Sequence, residues 1–184
     1  MSTLLHLNGP PGIGKSTLAR RWAEDHPGTL CCDVDVLRTF VGGWREDFPR
    51  AGGLVRRAAR ALVTAYLRHS GDVVLPQLLA DPAELATFEA AVHEVGARWV
   101  EVVLVDAADD AVARFGRRGA AGDPWHEEVR EIVRAQGGDR LLDGYVAQLD
   151  ALVRARPDAV VVTSTEGDAD ATYAALVEAV RRIG

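Results

Sequence analysis

The chain alternates short runs of apolar residues with longer segments in which apolar side chains recur every three or four positions. Short apolar runs bounded by glycine, proline or aspartate are typical of buried strands. The runs predict strands at residues 3–8, 29–37, 72–79, 99–105 and 159–163. The second strand runs into a loop or a helix start. The third breaks at Pro76, because proline has no N–H for a ladder hydrogen bond.

The amphipathic segments predict helices at residues 15–24, 54–69, 82–95, 106–118, 127–135, 139–154 and 169–183. The apolar stripe of the second helix consists of Leu54, Ala58, Leu62, Ala65, Tyr66 and His69. Glycine and proline make residues 42–53 an irregular segment and residues 119–125 a flexible break. Strands that alternate with helices predict an α/β fold, in which helices cover both faces of a five-stranded parallel sheet within a single domain, residues 1–184.

Composition and net charge disfavour some classes of function. The net charge of −6 disfavours a nucleic-acid or membrane-surface binder, because phosphate groups would be repelled. We expect no signal peptide, because the N-terminus lacks a basic region followed by a long apolar run, and no apolar run approaches the ~20 residues of a membrane span. Cys31 and Cys32 are neighbours, so a disulfide between them would be strained, which predicts a reduced, cytoplasmic compartment. We expect a monomer or a homodimer.

The loop after the first strand carries the clearest chemistry. GPPGIGKS, residues 9–16, matches G-x-x-x-x-G-K-[ST] between a strand and a helix. Its glycines let backbone N–H groups turn toward phosphate oxygens, and the following helix adds its positive N-terminus. The motif predicts ATP and Mg²⁺ as cofactors. The predicted phosphate ligands are Gly9, Pro10, Pro11, Gly12, Ile13, Gly14, Lys15, Ser16 and Thr17.

Lys15 is the only lysine, since every other residue in the Lys+Arg total of 21 is arginine. A compact ammonium fits inside a ring of phosphate oxygens, where the wider, planar guanidinium does not. Geometry therefore favours lysine at this one position. Lys15 is predicted to reach the β- and γ-phosphates, and the Ser16 hydroxyl is predicted to bind Mg²⁺.

Two carboxylates follow the second strand. Asp33 and Asp35 flank a valine near the carboxyl end of a parallel strand, where open α/β sheets bind ligands. One carboxylate can hold Mg²⁺ through water, and the other can accept the proton of an attacking hydroxyl. The alternative is that Asp35 only caps a helix that begins beside it.

GPPGIGKST, DVD after the second strand, and RFGRRG before a flexible segment together resemble the small P-loop kinases. That group includes shikimate kinase, gluconate kinase, chloramphenicol phosphotransferase and predicted AAA-type small-molecule kinases. The resemblance implies the three-layer α/β/α sandwich of P-loop NTPases with a helical lid, here about residues 114–128. It also implies transfer of the ATP γ-phosphate to a hydroxyl of a small molecule, such as an antibiotic or another metabolite. Asp35 would be the base, and Asp33 would help to hold magnesium.

The resemblance places arginines of the lid on the nucleotide. Arg114 and Arg117 would act on the transferred phosphate, and Arg118 would bind the cofactor, because fixed positive charge stabilises the spreading negative charge. The alternative is a helix C-terminus at which the dipole favours arginine.

In many P-loop proteins the third strand ends in an aspartate, and this chain departs from that pattern. Pro76 and Gln77 stand there instead. Gln77 then contacts the acceptor or orients a water, or it is an ordinary surface glutamine. Together with Asp35, the predicted acceptor-binding residues are Arg38, Arg45 and Gln77.

Two other functions fit the same motifs. A nucleoside or nucleotide kinase would use Arg38, Arg45 and Arg60 to contact a monophosphate. An NTP-dependent switch with no small acceptor would hydrolyse slowly and bind a partner in a nucleotide-gated way.

Overall fold

All five predicted strands form, and they lie in one parallel sheet. They are β1 Thr3–Asn8, β2 Leu30–Cys31, β3 Val73–Pro76, β4 Arg98–Asp106 and β5 Val160–Ser164. Their spatial order is β2-β3-β1-β4-β5. This computed structural model describes residues 1–69, 71–107, 111–117 and 124–183.

Helices follow the strands along the chain, as the alternating pattern predicts. They are α1 Lys15–Asp25, α2 Val34–Arg38, α3 Phe48–His69, α4 Pro82–Glu94, α5 Ala111–Arg117, α6 Pro124–Ala135, α7 Asp139–Ala155 and α8 Ala169–Ile183. The predicted α/β class with a five-stranded parallel sheet is therefore confirmed. Most of the predicted flexible break, 119–125, lies outside the described residues.

The chain forms two compact units, residues 1–8 with 15–102 and residues 9–14 with 103–184. In the first unit, Leu4, Leu7 and Val74 are completely buried. In the second, Leu104 and Leu176 are completely buried. Burial of this apolar surface is the main favourable free-energy contribution in each unit.

The register of the first unit aligns the strand ends that lead to the site. His6 pairs with Leu75 and Leu7 with Pro76, and in the next pair Cys31 lies opposite Val74. The carboxyl ends of β1, β2 and β3 therefore come to one edge of the sheet.

The predicted second strand is too long. Only Leu30–Cys31 pairs as a strand, and residues 34–37 of the predicted 29–37 belong to helix α2, Val34–Arg38. The physical reason is the cap at Asp33, whose carboxylate accepts the backbone N–H groups of Asp35 and Val36 at the first turn.

Helix α3 begins six residues before the predicted start, at Phe48 instead of Leu54. Pro49 does not prevent this, because a proline in the first turn gives up an N–H that has no intrahelical partner. Gly52 packs closely against Arg38 inside the helix, because an added Cβ would lie 3.2 Å from Arg38 Nη2 and the guanidinium would have to shift.

The predicted buried stripe of α3 is also wrong. Leu54 and Leu62 are 49% and 41% exposed. The buried face is displaced by one position and consists of Ala51, Gly52, Val55, Ala59, Val63 and Leu67. Both sets repeat with helical spacing, so periodicity alone could not choose between them.

Candidate active site

The phosphate loop has the backbone that a phosphate cradle requires. Gly9, Gly12 and Gly14 have φ angles of +142°, +83° and +108°, a region that side chains other than glycine rarely occupy. A Cβ on Gly9 would lie 2.7 Å from the carbonyl oxygen of Leu104. A Cβ on Gly12 would lie 3.2 Å from Phe115 in α5. Close approach as well as conformation therefore requires glycine here.

The Gly9→Ala variant tests this packing. We expect a loss of about 1–3 kcal/mol in the free energy of unfolding, because the new Cβ meets a backbone oxygen at a positive φ. Chemical denaturation measures the loss. Gly144→Ala is the matched control, since nothing lies within 4 Å of its added Cβ. We expect that helical substitution to stabilise by roughly 0.5–1 kcal/mol. Equal effects of the two substitutions would contradict the packing argument.

Arg114 braces the phosphate loop from within the second unit. Its side chain donates to the Ile13 carbonyl at 3.1 Å, and to the Ser164 carbonyl and hydroxyl at 2.9 and 3.0 Å. An ion pair to Asp106 at 3.3 Å completes the set. Ser164 Oγ also donates to the Ile13 carbonyl at 3.2 Å. Since Arg114 is 8% exposed and bonded to the protein, its contacts are those of a positioning residue. Direct action on a phosphate stays a prediction.

Asp33 fixes the first turn of α2. Its Oδ1 accepts the N–H groups of Asp35 and Val36 at 3.1 and 3.4 Å, so Asp33 is the helix cap that the sequence had suggested for Asp35. Its Oδ2 lies 3.9 Å from Arg20 Nη2. One oxygen is thus committed to the backbone, and the other keeps only a long ion pair among the described residues.

Asp35 is surrounded by charge. Its Oδ1 lies 3.2 Å from Arg38 Nη1, and 47% of its side chain remains exposed. Partial burial raises the pKa of the carboxyl above its ordinary 3.8. Asp33 adds to the rise, whereas Arg38, Lys15 and Arg56 oppose it. Asp35 therefore does not cap the helix, and its raised pKa suits a general base.

Two guanidinium groups alternate with two aromatic rings in a stack that begins at Arg38, the partner of Asp35. The guanidinium of Arg38 lies 3.9 Å from the centroid of the Phe48 ring. Phe48 and Trp44 have ring centroids 6.4 Å apart, and Arg45 lies 4.4 Å over Trp44. Arg38 is nearly completely buried, whereas Arg45 is exposed. The structure brings Arg38 beside Asp35 and gives Arg45 a surface position over an aromatic ring.

Gln77 is not a surface glutamine. It is 5% exposed at the end of β3, and its Oε1 is buried with no hydrogen-bond partner among the described residues. Its Nε2 donates to the Leu78 carbonyl at 3.3 Å. Because a buried acceptor without a partner is uncommon, Gln77 is a candidate to receive a hydrogen bond from a ligand.

Asn8, which the sequence analysis missed, positions the start of the loop. Its Nδ2 donates to the Leu79 carbonyl at 3.0 Å, and its Oδ1 accepts the Leu79 N–H at 3.1 Å. Its Nδ2 also donates to Glu101 at 3.3 Å. This side chain continues the β1–β3 pairing beyond Pro76, immediately before Gly9. The sequence does contain a signal for this role, because His6 and Asn8 are polar residues within an otherwise apolar strand.

Comparison with known proteins identifies the family. Residues 4–141 match the AAA domain family AAA_33. The chain belongs to this family of small P-loop kinases. It is also 33% identical over 138 residues to an adenylate kinase from Synechococcus sp. (strain RCC307), with 70% of this chain and 75% of that protein covered. The resemblance predicted from the motifs is thus confirmed.

Solved structures share the fold of this P-loop kinase. A gluconokinase from Sinorhizobium meliloti 1021 superposes with a TM-score of 0.63 at 17% identity, covering 98% of this chain and 93% of that chain. A deoxyadenosine kinase from M. mycoides superposes with a TM-score of 0.54 at 12% identity, covering 99% and 100%. These similarities show the fold, and the family supports phosphotransfer in general.

The predicted lid of the kinase is described only at its beginning. Arg117 ends α5 in a surface ion pair, with Nη2 at 2.7 Å and Nε at 3.1 Å from Glu166 Oε2. The hydrogen bond from Arg117 lowers the pKa of Glu166. Arg118 lies outside the described residues. The roles of Arg117 and Arg118 on the nucleotide stay predictions.

The oxygen atoms that this kinase offers suit a magnesium ion that also binds phosphate and water. Within the described ranges, no group of three or more His, Cys, Asp or Glu side chains could hold a metal by itself. Mg²⁺ commonly takes one or two carboxylates and completes its shell with phosphate oxygens and water. The Oδ2 of Asp33 and the hydroxyl of Ser16 are oxygen donors of that kind, so these residues fit the ion.

Both thiols of the kinase have raised pKa values. Burial raises the pKa of Cys31 to about 11 and that of Cys32 to about 12. Neither thiol therefore ionises appreciably near neutral pH, and neither is a candidate nucleophile. A separate finding concerns membranes: no helix in the described part of the chain is both long enough and apolar enough to span a bilayer.

Proposed function

We propose that this kinase transfers the γ-phosphate of ATP to a hydroxyl of a small molecule, with Mg²⁺ as cofactor. One observation carries the proposal: Asp35 is a carboxylate with a raised pKa, is not used as a helix cap, and feels the charges of Lys15, Arg38 and Arg56. A base near the loop lysine is what transfer to a hydroxyl requires, whereas simple nucleotide binding does not need one.

The proposed reaction divides the work among residues of this chain. Asp35 accepts the proton of the acceptor hydroxyl as its oxygen bonds to the γ-phosphorus, and the bond from that phosphorus to the ADP oxygen breaks. Lys15 and the backbone N–H groups of the loop stabilise the negative charge on the transferred group. Arg114 holds the loop in place through Ile13. Arg117 and Arg118 would add positive charge from the lid.

The magnesium ion, when bound, would neutralise charge on the β- and γ-phosphate oxygens. Ser16 would bind it directly, and Asp33 would hold it directly or through water. Gln77 would accept a hydrogen bond from the acceptor through its unpaired Oε1.

The test is incubation with γ-labelled ATP, Mg²⁺ and pools of antibiotics, sugars and sugar acids, nucleosides, and nucleoside monophosphates. Label in a new species, present with the wild type and lost with Asp35→Asn, would support the proposal and begin to name the acceptor. Label released only as inorganic phosphate, at equal rates for both proteins, would favour the nucleotide-dependent switch.

A nucleoside or nucleotide kinase is the second candidate. The relative named adenylate kinase, at 33% identity, favours it. Arg38, buried beside Asp35, would then contact a monophosphate. Transfer confined to the nucleoside or nucleotide pools would select this candidate over sugars, sugar acids and antibiotics.

Two substitutions of Asp33 separate its role as the cap of α2 from its proposed role as a magnesium ligand. Asp33→Ala removes the cap of α2, and we expect a loss of about 1 kcal/mol in the free energy of unfolding together with a higher Mg²⁺ requirement. Asp33→Asn keeps a capping oxygen but loses the charge, so it should keep most of the stability and still require more Mg²⁺. Denaturation and Mg²⁺ titration of transfer measure both. A normal Mg²⁺ requirement in Asp33→Asn would rule out the metal role.

A further inference from the structure

A shallow pocket of about 270 Å³ lies between α3 and α4. We call it the arginine groove, and its walls include Gly53, Arg56, Arg57, Arg60, Glu84 and Thr87. A wider depression of about 500 Å³ shares Arg60 and Thr87 with it and continues along α4 past Ala86 and Ala90 to Glu94, the one carboxylate in its lining. Glycine and alanine in these walls leave room for a ligand.

The arginine groove carries more positive charge than its own residues neutralise. Arg56 Nε pairs with Glu84 Oε1 at 2.9 Å. Arg57 and Arg60 have no acidic or hydrogen-bonding partner among the described residues. Three guanidinium groups against one carboxylate leave two positive charges unpaired. Guanidinium groups bind carboxylates and phosphates with two parallel hydrogen bonds, so both kinds of oxyanion match these side chains.

Helix α3 connects the groove to the candidate base. Arg38 lies 3.2 Å from Asp35 and packs against Gly52. Arg56 and Arg60 follow Gly52 by one and two helical turns, roughly 6 and 12 Å along the axis. Arg56 is also one of the charges that lower the pKa of Asp35. Arg56, in the wall of the groove, is therefore near enough to Asp35 to influence its charge.

We propose that the arginine groove binds an oxyanion of the acceptor, a carboxylate or a phosphate, while Asp35 takes the proton from the acceptor hydroxyl. This inference rests on the proposed function and names its substrate class. The acceptor is an anionic molecule whose hydroxyl lies at Asp35 and whose oxyanion lies in the arginine groove.

Binding can be tested without phosphotransfer. The full chain, labelled with ¹⁵N-arginine, is titrated with sodium phosphate and separately with sodium acetate at constant ionic strength. We expect saturable shifts in the Nε–Hε NMR signals of Arg57 and Arg60 with at least one anion, and the stronger anion indicates which oxyanion is preferred. Arg68, exposed on the same helix and outside the groove, is the control. Equal, unsaturable drift of all three signals would overturn the proposal.

Kinetics test whether the oxyanion belongs to the acceptor. Matched pairs, such as gluconate with glucose and glycerol 3-phosphate with glycerol, are added to the labelled-ATP screen. We expect transfer to the anionic member of a pair. The double variant Arg57→Gln/Arg60→Gln should raise the KM for that acceptor about ten- to hundred-fold, with kcat and the KM for ATP unchanged. Arg68→Gln should change nothing.

The outcomes separate this inference from the function on which it rests. Transfer to an anionic acceptor with an unchanged KM in the double variant would overturn the groove and leave the kinase proposal intact. Saturable phosphate shifts at Arg57 and Arg60 with no acceptor phosphorylated would leave an anion site and overturn the kinase proposal. Preference for the neutral member of every pair would overturn the substrate class.

Discussion

Lys15→Ala is expected to lower phosphotransfer at least 10²–10³-fold, about the loss on removing one preorganised donor to a developing charge. Lys15 begins α1 directly after the glycine loop, and no second lysine exists to substitute for it. The fold should survive, because the side chain is only partly buried. The measurement is kcat/KM with γ-labelled ATP, with a thermal melt to confirm folding.

Lys15→Arg separates charge from shape in the same experiment. It preserves the positive charge but presents a planar fork in place of a compact ammonium, so we expect it to lose most of the activity as well. Wild-type transfer by Lys15→Arg would show that the lone lysine has no geometric cause. Wild-type transfer by Lys15→Ala would remove the loop from the mechanism.

Asp35→Asn is expected to lower transfer about 10²–10⁴-fold while ATP binding stays near normal. The amide cannot take the hydroxyl proton, whereas the phosphate loop is unchanged. Acceptor-dependent kcat and the Kd for ATP are the two quantities to compare. Glu46→Gln, an exposed carboxylate in the loop between α2 and α3, is the control for loss of one negative charge. Transfer at the wild-type rate by Asp35→Asn would disprove the base assignment.

The pKa of Asp35 adds a pH signature. A base must be ionised to act, and burial raises the pKa of this carboxyl above 3.8. Activity should therefore fall, as pH decreases, at a higher pH than an ordinary aspartate would cause. The acid limb of the kcat/KM profile reports it. In Asp35→Asn the residual activity should lack that limb, and a limb that persists would belong to another group.

The parts of the site that were predicted are contiguous in sequence. GPPGIGKS is a single stretch whose glycines, lysine and serine each carry a local requirement, so a strand and a helix on either side were enough to identify it. The alternation of apolar runs with amphipathic segments likewise predicted the sheet class. The two aspartates after the second strand were found for the same reason.

The parts that were missed depend on residues far apart in the chain. The contacts of Arg114 join it to Ile13 and Ser164, which are 101 and 50 positions away in sequence. No local sequence pattern predicts contacts of that kind. The Asn8 clamp spans 71 positions to Leu79. Burial of Gln77 and the choice of buried face on α3 are likewise set by the elements packed against them, which periodicity does not specify.

The solitary lysine has a practical consequence for measuring the phosphate loop. A protease that cuts only after lysine has one target bond in this sequence, between Lys15 and Ser16. That bond lies in the first turn of α1, so cleavage requires the turn to open. The cutting rate of the unmodified protein therefore reports the opening free energy of this one site. A ligand that holds only the closed loop slows cutting by the factor 1 + [L]/Kd, which gives a binding constant with no label and no mutation.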